Sequence, residues 1–114
     1  FHGLWNGHGK SDTEDRILQS KIISEFLKHL TNPYILAGDF NLTPDTESFQ
    51  ILKNACPVDL VAEYGVTSTR SSFYPKPEKF ADYIMTCGKV GASEFEVLKD
   101  EVSDHLALRA HLKL

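Results

Sequence analysis

Apolar side chains recur along the N-terminal part of the chain with the spacing of an amphipathic helix. The residues that form its predicted apolar face are Ile17, Leu18, Ile22, Ile23, Phe26, Leu27 and Leu30. Ser11 or Asp12 is expected to cap this helix, and Arg16 is expected to face solvent together with the other charged residues. Asn32-Pro33 is expected to end the helix, because the residue before a proline avoids helical geometry.

Shorter apolar stretches predict strands and a second helix in the rest of the chain. In order, they are a buried strand at 34–38, a helix at about 45–54 capped by Thr43 or Asp45, a brief strand at 72–74, a strand at 80–86, an edge strand at 94–98 and a closing strand at 106–112. A single helical turn is one possibility for 58–61. Mixed elements of this kind predict an α/β protein.

Length and composition indicate one ordinary globular domain, with 114 residues, 41% of them hydrophobic and 25% charged. The net charge of −4 argues against a strongly basic nucleic-acid coat, although it leaves room for a phosphate ligand bridged by a cation. Arg70, Lys76 and Lys79 either touch a substrate phosphate or are scattered surface charges. No apolar run approaches the ~20 residues of a membrane span.

The cysteines and the first residue give weak indications of cellular context. Cys56 and Cys87 form neither a CxxC pair nor a metal-binding spacing, and buried free thiols are expected. Nothing in their arrangement requires secretion, so a cytoplasmic location is the expectation. Because the chain begins with Phe1 rather than Met, we expect that a preceding segment was removed or left out.

Polar residues follow the first predicted strand in the run Gly38-Asp39-Phe40-Asn41. The period-two geometry of a strand is expected to point Asp39 and Asn41 to the same side at its carboxyl end, where α/β sheets bind ligands. A carboxylate and a carboxamide together suit a phosphate or a hydrated cation. The alternative is a simple turn, since Gly, Asp and Asn all favour turns.

Other acids and histidines also stand at strand ends. Asp82 lies inside an apolar strand, where a carboxylate is costly unless it is paired, so it is either a satisfied structural acid or part of a site. Asp104-His105 is either a capped turn or a metal-binding acid beside an acid–base imidazole. Residues 1–5 are interpreted as the end of a further strand, so His2 lies near a strand terminus and is either structural or catalytic.

The chain resembles the metal-dependent endonuclease/exonuclease/phosphatase superfamily, which includes DNase I-like nucleases, apurinic endonucleases, inositol polyphosphate phosphatases and neutral sphingomyelinases. The motifs that carry the resemblance are Phe1-His2-Gly3, Gly38-Asp39-Phe40-Asn41, Ala81-Asp82-Tyr83-Ile84 and Ser103-Asp104-His105. It implies the C-terminal half of a four-layer α/β sandwich, with a mixed, largely antiparallel sheet flanked by helices. Residues 1–114 would form a single partial domain.

The resemblance also implies catalytic roles. His105 is expected to act as general acid/base or to stabilise the transition state, oriented by Asp82. Asp39 is expected to position or deprotonate the attacking water, and Asn41 to hold that water or a phosphate oxygen. His2 is expected to be a second imidazole at the transition state. These groups suit phosphate-ester hydrolysis, which needs an oriented water and a proton source for the leaving oxygen.

Asp104 is expected to help bind Mg²⁺ or Mn²⁺, while the Asn and Glu that bind metal in the family's N-terminal half are absent here. The inner sheet face is expected to be apolar and uncovered, and to need either the missing N-terminal half or a second copy of the chain. Alone, the chain is expected to bind metal weakly and to have little or no activity.

The function that follows is hydrolysis of phosphodiester or phosphomonoester bonds, in nucleic acid or in a small phosphorylated molecule. Residues 66–79 would carry the specificity. The rival interpretation is a non-catalytic interaction or scaffold fragment. A metal-independent hydrolase is weakly supported, because the sequence has no GxSxG motif and no setting for a reactive cysteine.

Overall fold

A computed structural model of the chain describes all 114 residues and confirms the α/β class. The elements in chain order are α1 Glu14–Lys28, β1 Ile35–Asp39, α2 Glu47–Ala55, β2 Val58–Asp59, α3 Leu60–Glu63, β3 Asp82–Thr86, β4 Gly91–Val97 and β5 Leu108–Lys113. None of the helices is both long and apolar enough to cross a membrane.

The strands form two antiparallel sheets rather than the single sheet that the sequence predicted. The first has the order β1-β3-β2, and the second is the β4–β5 hairpin. A parallel bridge between His2 and Asp39 places the start of the chain beside β1, where the Phe1 amino group donates a 2.6 Å hydrogen bond to the Ala37 carbonyl. The brief strand predicted at 72–74 is wrong, because these residues form a turn.

The core lies on one face of the three-stranded sheet, between the sheet and the helices α2 and α3. Tyr83 from β3 packs against Phe40 and Phe49, with ring centroids 5.0 and 4.7 Å away. The buried Tyr83 hydroxyl donates a 2.8 Å hydrogen bond to the Leu42 carbonyl. These contacts hold the segment after β1 against the sheet, so they fix the position of the Gly38–Asn41 run.

The opposite face of the sheet carries Ile35, Ala37 and Ile84, which are only partly covered or exposed. The register places these residues on one face, because residues paired directly across antiparallel strands share a face. Ala37 pairs with Ile84, and one step further along the same face Asp39 pairs with Asp82. The face is therefore apolar in its middle and acidic at one end.

The buried side of α1 is not the one predicted. Leu18, Ile22 and Phe26 are 56%, 62% and 65% exposed, whereas Arg16, Ser20 and Ser24 are buried along with Leu27. The expectation that Arg16 faces solvent is therefore wrong. Small serines allow α1 to approach α2 closely. The Arg16 guanidinium donates to the backbone carbonyls of Leu4 and Ser11 at 3.1 and 2.6 Å, while its buried Nη2 has no hydrogen-bond partner.

The helix caps also differ from the predicted ones. Thr13, not Ser11 or Asp12, caps α1, and Thr46 rather than Thr43 or Asp45 caps α2. The Asp12 carboxylate instead accepts hydrogen bonds from the backbone N–H groups of Glu47 and Ser48 at the start of α2. Burial raises the pKa of Asp12, but these hydrogen bonds outweigh it and the net pKa is below its ordinary value. Asp12 thus joins the loop before α1 to α2.

Both cysteines are free thiols, in agreement with the sequence. Cys56 is buried as expected, whereas Cys87 is only partly buried.

Candidate active site

Two carboxylates meet where β1 ends and β3 begins. Because the strands are antiparallel, the last residue of β1 pairs with the first residue of β3, and these residues are Asp39 and Asp82. Both side chains are 16% exposed. The sequence placed each of them at a strand end, and the register brings the two ends together.

His105 lies between these two acids. Its Nδ1 atom is 2.9 and 3.0 Å from the two carboxylate oxygens of Asp82, and its Nε2 atom is 3.7 Å from Oδ2 of Asp39. A backbone bridge to Arg70 holds His105 in this position. An imidazole whose Nδ1–H donates to a carboxylate presents Nε2 as its free acceptor, and that nitrogen faces Asp39.

The buried position of Asp82 gives its carboxyl group a raised pKa. Burial raises the pKa of this carboxyl group, and the hydrogen bond with His105 opposes the shift. Thr69, which is fully buried, supports Asp82 through a 3.4 Å hydrogen bond from its hydroxyl and accepts a bond from the Ala81 N–H. Sequence reasoning missed Thr69, because a threonine in a loop carries no distinguishing signal.

Asn41 does not share the geometry predicted for it. The strand ends at Asp39, and Asn41 adopts a left-handed backbone conformation with φ of 52°. Its N–H donates to Asp39 Oδ1 at 2.8 Å, and its buried carboxamide donates to the Gly3 carbonyl at 3.1 Å. The carboxamide oxygen lies 3.4 Å from Nζ of Lys10. The predicted alternation of Asp39 and Asn41 on one side is therefore wrong, because the chain turns between them.

His2 and Asp104 flank the cluster. His2 Nε2 is 3.7 Å from Asp39 Oδ2, so this oxygen lies between two imidazoles. Asp104 Oδ1 is 3.9 Å from His105 Nε2, and Asp104 Oδ2 is paired with Arg70 at 3.3 Å. The side chains of His2 and Asp104 are 70% and 46% exposed, which leaves both accessible from solvent.

A cavity of about 420 Å³ opens beside these residues. Asp39, Asp82 and His105 line its polar end, and its apolar walls include Ile84 and Leu108. Acids and an imidazole converge at this polar end of the cavity. Groups that could move a proton or bind a cation therefore lie along one rim.

Comparison with known protein families identifies the chain. The sequence model of the Endonuclease/Exonuclease/phosphatase family matches residues 3–105, a range that includes the acids of the cluster and His105 but not His2. The chain belongs to the endonuclease/exonuclease/phosphatase family. Searches of curated proteins and of solved structures give no significant match.

Family membership indicates a phosphoesterase or nuclease type of function, and therefore hydrolase chemistry. The antiparallel sheets flanked by helices are consistent with a fragment of the DNase I-like fold of this family. Members of the family generally use divalent metals, and the cluster formed by Asp39, Asp82 and His105 brings together possible ligand atoms within 4.8 Å of one another.

The donor set fits a hard cation through oxygen atoms. Asp82 is engaged by His105, so the carboxylates that remain are Asp39 Oδ2 and the half-exposed Asp104 Oδ1. Carboxylate oxygens with room for bound water suit Mg²⁺ or Mn²⁺. Arg70 already neutralises part of the Asp104 charge, which weakens the attraction for a cation at that carboxylate.

Two buried cations beside the family's motifs were not foreseen. Lys10, in the loop before α1, is 4% exposed, and Arg70 is 8% exposed. Burial lowers the pKa of Lys10, and the nearby Arg70 lowers it further. Of the two sequence interpretations of Arg70, scattered surface charge is wrong for this residue, since its side chain is buried.

Proposed function

We propose that the chain carries the acid–base residues of a metal-dependent phosphate-ester hydrolase of the endonuclease/exonuclease/phosphatase family. The observation that carries this proposal is the row Asp82–His105–Asp39, whose contacts are 2.9 and 3.7 Å long. It assembles an oriented imidazole and a second carboxylate at the rim of a cavity. Family membership supports the hydrolase class.

In the proposed reaction His105 moves the proton. Asp82 accepts from Nδ1, holds the ring in one tautomer and stabilises its protonated form. Nε2 then gives a proton to the leaving oxygen or stabilises the charge that develops on the phosphate. The partial exposure of His105, at 33%, allows a substrate to reach Nε2.

Asp39 is proposed to orient or deprotonate the attacking water through Oδ2, the oxygen that faces both imidazoles. His2, largely exposed, is proposed to stabilise the negative charge of the transition state from the other side. Asn41 is proposed to hold the water or a phosphate oxygen. Because its carboxamide already donates to Gly3 and approaches Lys10, one N–H and one oxygen lone pair remain for this role.

Asp104, which approaches the same His105 nitrogen as Asp39, is proposed to hold Mg²⁺ or Mn²⁺ together with Asp39. Such a cation, when bound, neutralises phosphate charge and acidifies coordinated water. The residues of the chain contribute separately by binding the phosphate, orienting the water and moving the proton. The substrate class, by this proposal, is a phosphodiester or phosphomonoester of nucleic acid or of a small phosphorylated molecule.

A covering surface is part of the proposal. The face that carries Ile35, Ala37 and Ile84 is apolar, and the cavity opens onto it. Contiguous exposed apolar surface marks an interaction site. We propose that an additional N-terminal half of the domain covers this face, or a second copy of the chain does. Sedimentation of the chain over a concentration series separates the two, since only self-association gives a dimer.

A non-catalytic interaction or scaffold role is the rival function, and the same exposed apolar face favours it. The histidine variant His105→Ala in the complete protein decides between the two. We expect hydrolysis of bis(p-nitrophenyl) phosphate to fall by about 10²–10⁴-fold, the usual contribution of a positioned acid–base group. Unchanged turnover favours the scaffold.

The matched control is His111→Ala, because His111 is exposed on β5 and pairs with Glu94 away from the cluster. Its turnover is expected to equal that of the unmodified protein. The assay is run with Mg²⁺, with Mn²⁺ and with a chelator, and activity that survives the chelator contradicts metal dependence. The 114 residues alone are expected to show little or no hydrolysis, and clear Mg²⁺-dependent turnover by them contradicts that expectation.

A further inference from the structure

Lys10 and Arg70 are buried side by side although both are cations. Lys10 is 4% exposed, and its ammonium has one hydrogen-bond partner, the Asn41 carboxamide oxygen at 3.4 Å. Arg70 is 8% exposed, its Nη1 contacts Asp104 at 3.3 Å, and its Nε is buried with no partner. Each cation therefore forms fewer hydrogen bonds than its N–H groups allow.

One aromatic ring lies against both cations. The Arg70 guanidinium lies 4.1 Å from the centroid of the Tyr74 ring, and the Lys10 ammonium lies 5.4 Å from the same centroid. Trp5 adds a second ring 5.5 Å from Lys10. Cations over aromatic faces are attracted by the ring quadrupole, and more strongly when water is excluded. Tyr74 therefore holds the two like charges together in a fixed arrangement.

The contacts of the two cations end on different motifs of the candidate site. Lys10 reaches Asn41, in the run that follows β1, while Arg70 reaches Asp104, next to His105. These motifs are far apart in the sequence, and the two cations and Tyr74 connect them. The charges also balance the site, since Asp39 favours the protonated form of Lys10 and Arg70 favours the ionised form of Asp82.

Stability alone does not account for two buried like charges. Taking them out of water costs free energy, and apolar residues of similar size in such places are often neutral or stabilising. Their contacts instead restrict the side chains of Asn41 and Asp104. Polar partners of this kind orient the residues that meet the substrate.

We propose that Lys10 and Arg70, clamped by the ring of Tyr74, are positioning residues of the site: Lys10 fixes the carboxamide of Asn41, Arg70 fixes the carboxylate of Asp104, and Tyr74 couples the two. The ordering itself is a property of the chain and does not depend on activity. Its catalytic consequence rests on the proposed function, so the two are tested by separate measurements.

The first measurement is the mobility of the Asn41 side-chain amide by ¹⁵N relaxation in the 114-residue protein. In the unmodified chain the amide is expected to be as rigid as the backbone. In Lys10→Met, which fills the same space without a charge, we expect its order parameter to fall below about 0.6, the range of flexible groups. Lys10→Arg restores a cation and is expected to recover the order.

The matched control is Lys76→Met. Lys76 is an exposed lysine 5.3 Å from the same Trp5 ring, and the substitution removes the same charge without touching Asn41. The Asn41 amide is expected to stay rigid in this variant. An equally rigid amide in Lys10→Met, or equal loosening in Lys76→Met, overturns the role of Lys10.

The second measurement tests the coupling through the ring. Tyr74→Phe keeps the ring and is expected to leave the Asn41 amide and the χ1 rotamer of Asp104 unchanged. Tyr74→Leu removes the ring and is expected to loosen both, as averaged χ1 couplings of Asp104 would show. Arg70→Met is expected to free Asp104. If Tyr74→Leu leaves both groups ordered, or Arg70→Met leaves Asp104 fixed, the clamp is wrong.

The third measurement uses the complete protein. In Lys10→Met we expect kcat to fall by about 10–100-fold with little change in KM, because misplacement of a site residue acts on the transition state. A rise in KM alone assigns Lys10 to substrate binding and overturns the positioning role. Should the complete protein prove inactive, the proposed function fails, while the relaxation data still decide the ordering.

Discussion

The substitution Asp82→Asn isolates what the buried charge contributes. Asparagine keeps the shape of the side chain and a carbonyl oxygen for His105 Nδ1, but it removes the negative charge. Both carboxylate oxygens of Asp82 lie within 3.0 Å of this nitrogen, and the side chain is 16% exposed, so the interaction is largely shielded from water. A hydrogen bond between charged groups in such a place contributes about 1.5–3 kcal/mol.

If this energy is used mainly in the transition state, in which His105 is protonated, its loss raises the barrier by the same amount. Each 1.36 kcal/mol corresponds to tenfold in rate, so we expect kcat of the complete protein to fall by about 10- to 100-fold. The assay is hydrolysis of a phosphodiester under saturating substrate, with KM measured in parallel. Full kcat in the variant refutes the role given to Asp82.

The same substitution is expected to lower kcat without lowering the stability of the fold. Burial raises the pKa of Asp82 above its ordinary value of 3.8, so the folded protein binds this proton more tightly than the unfolded chain does. Folded stability is therefore lost as pH rises above 3.8 through the raised pKa, and asparagine has no such loss. The Tm of the variant relative to the unmodified chain should increase across this window, and at pH 7 the variant should melt no lower.

The control is Asp100→Asn, which removes an exposed acid and should leave kcat unchanged. A fall in Tm of several degrees for Asp82→Asn at pH 7, with no fall at pH 4, would mean that the ionised pair with His105 stabilises the fold on balance. Burial would then not be the dominant influence on the pKa of Asp82.

Three further substitutions or reactions test other parts of the structure. Gly38→Ala should lower the free energy of unfolding by at least about 1–3 kcal/mol, because φ is 144° and a Cβ would lie 1.8 Å from the Phe1 carbonyl oxygen. An unchanged Tm contradicts this expectation. Tyr83→Phe should lower the free energy of unfolding by about 1–3 kcal/mol in denaturant, because it leaves the buried Leu42 carbonyl without its hydrogen bond. A loss below about 0.5 kcal/mol, the usual size of a surface effect, speaks against that bond. A thiol reagent at pH 8 should modify Cys87 first, because a backbone N–H bond lowers its pKa, whereas burial raises the pKa of Cys56 to about 11; equal rates for both thiols contradict the assignment.

Local patterns in the sequence predicted most of the elements and the positions of the site residues along them. The apolar stretches before Gly38 and around Tyr83 became β1 and β3 within a residue or two of the predicted bounds. A carboxylate inside an apolar strand predicted that Asp82 is paired, and His105 pairs with it. These predictions succeed because they depend on neighbours within a few positions, and periodicity records such neighbours directly.

The side of α1 that is buried was not predictable in the same way. Periodicity gave an apolar face, but the serine-lined face packs on α2, and Leu18, Ile22 and Phe26 remain exposed. A helix buries the side that its neighbour covers, and the identity of the neighbour is a tertiary fact. Asp12 illustrates the same limit, since its cap partners lie more than 30 positions away.

The sequence by itself therefore determined the α/β class, the acid- and imidazole-bearing motifs and the kind of chemistry that those side chains permit. Only the tertiary structure decided that Asp39, Asp82 and His105 meet, because antiparallel register and a backbone bridge bring distant segments together. It also decided that Lys10 is buried against Asn41. Burial depends on which segments surround a residue, and no local pattern of side chains carries that information.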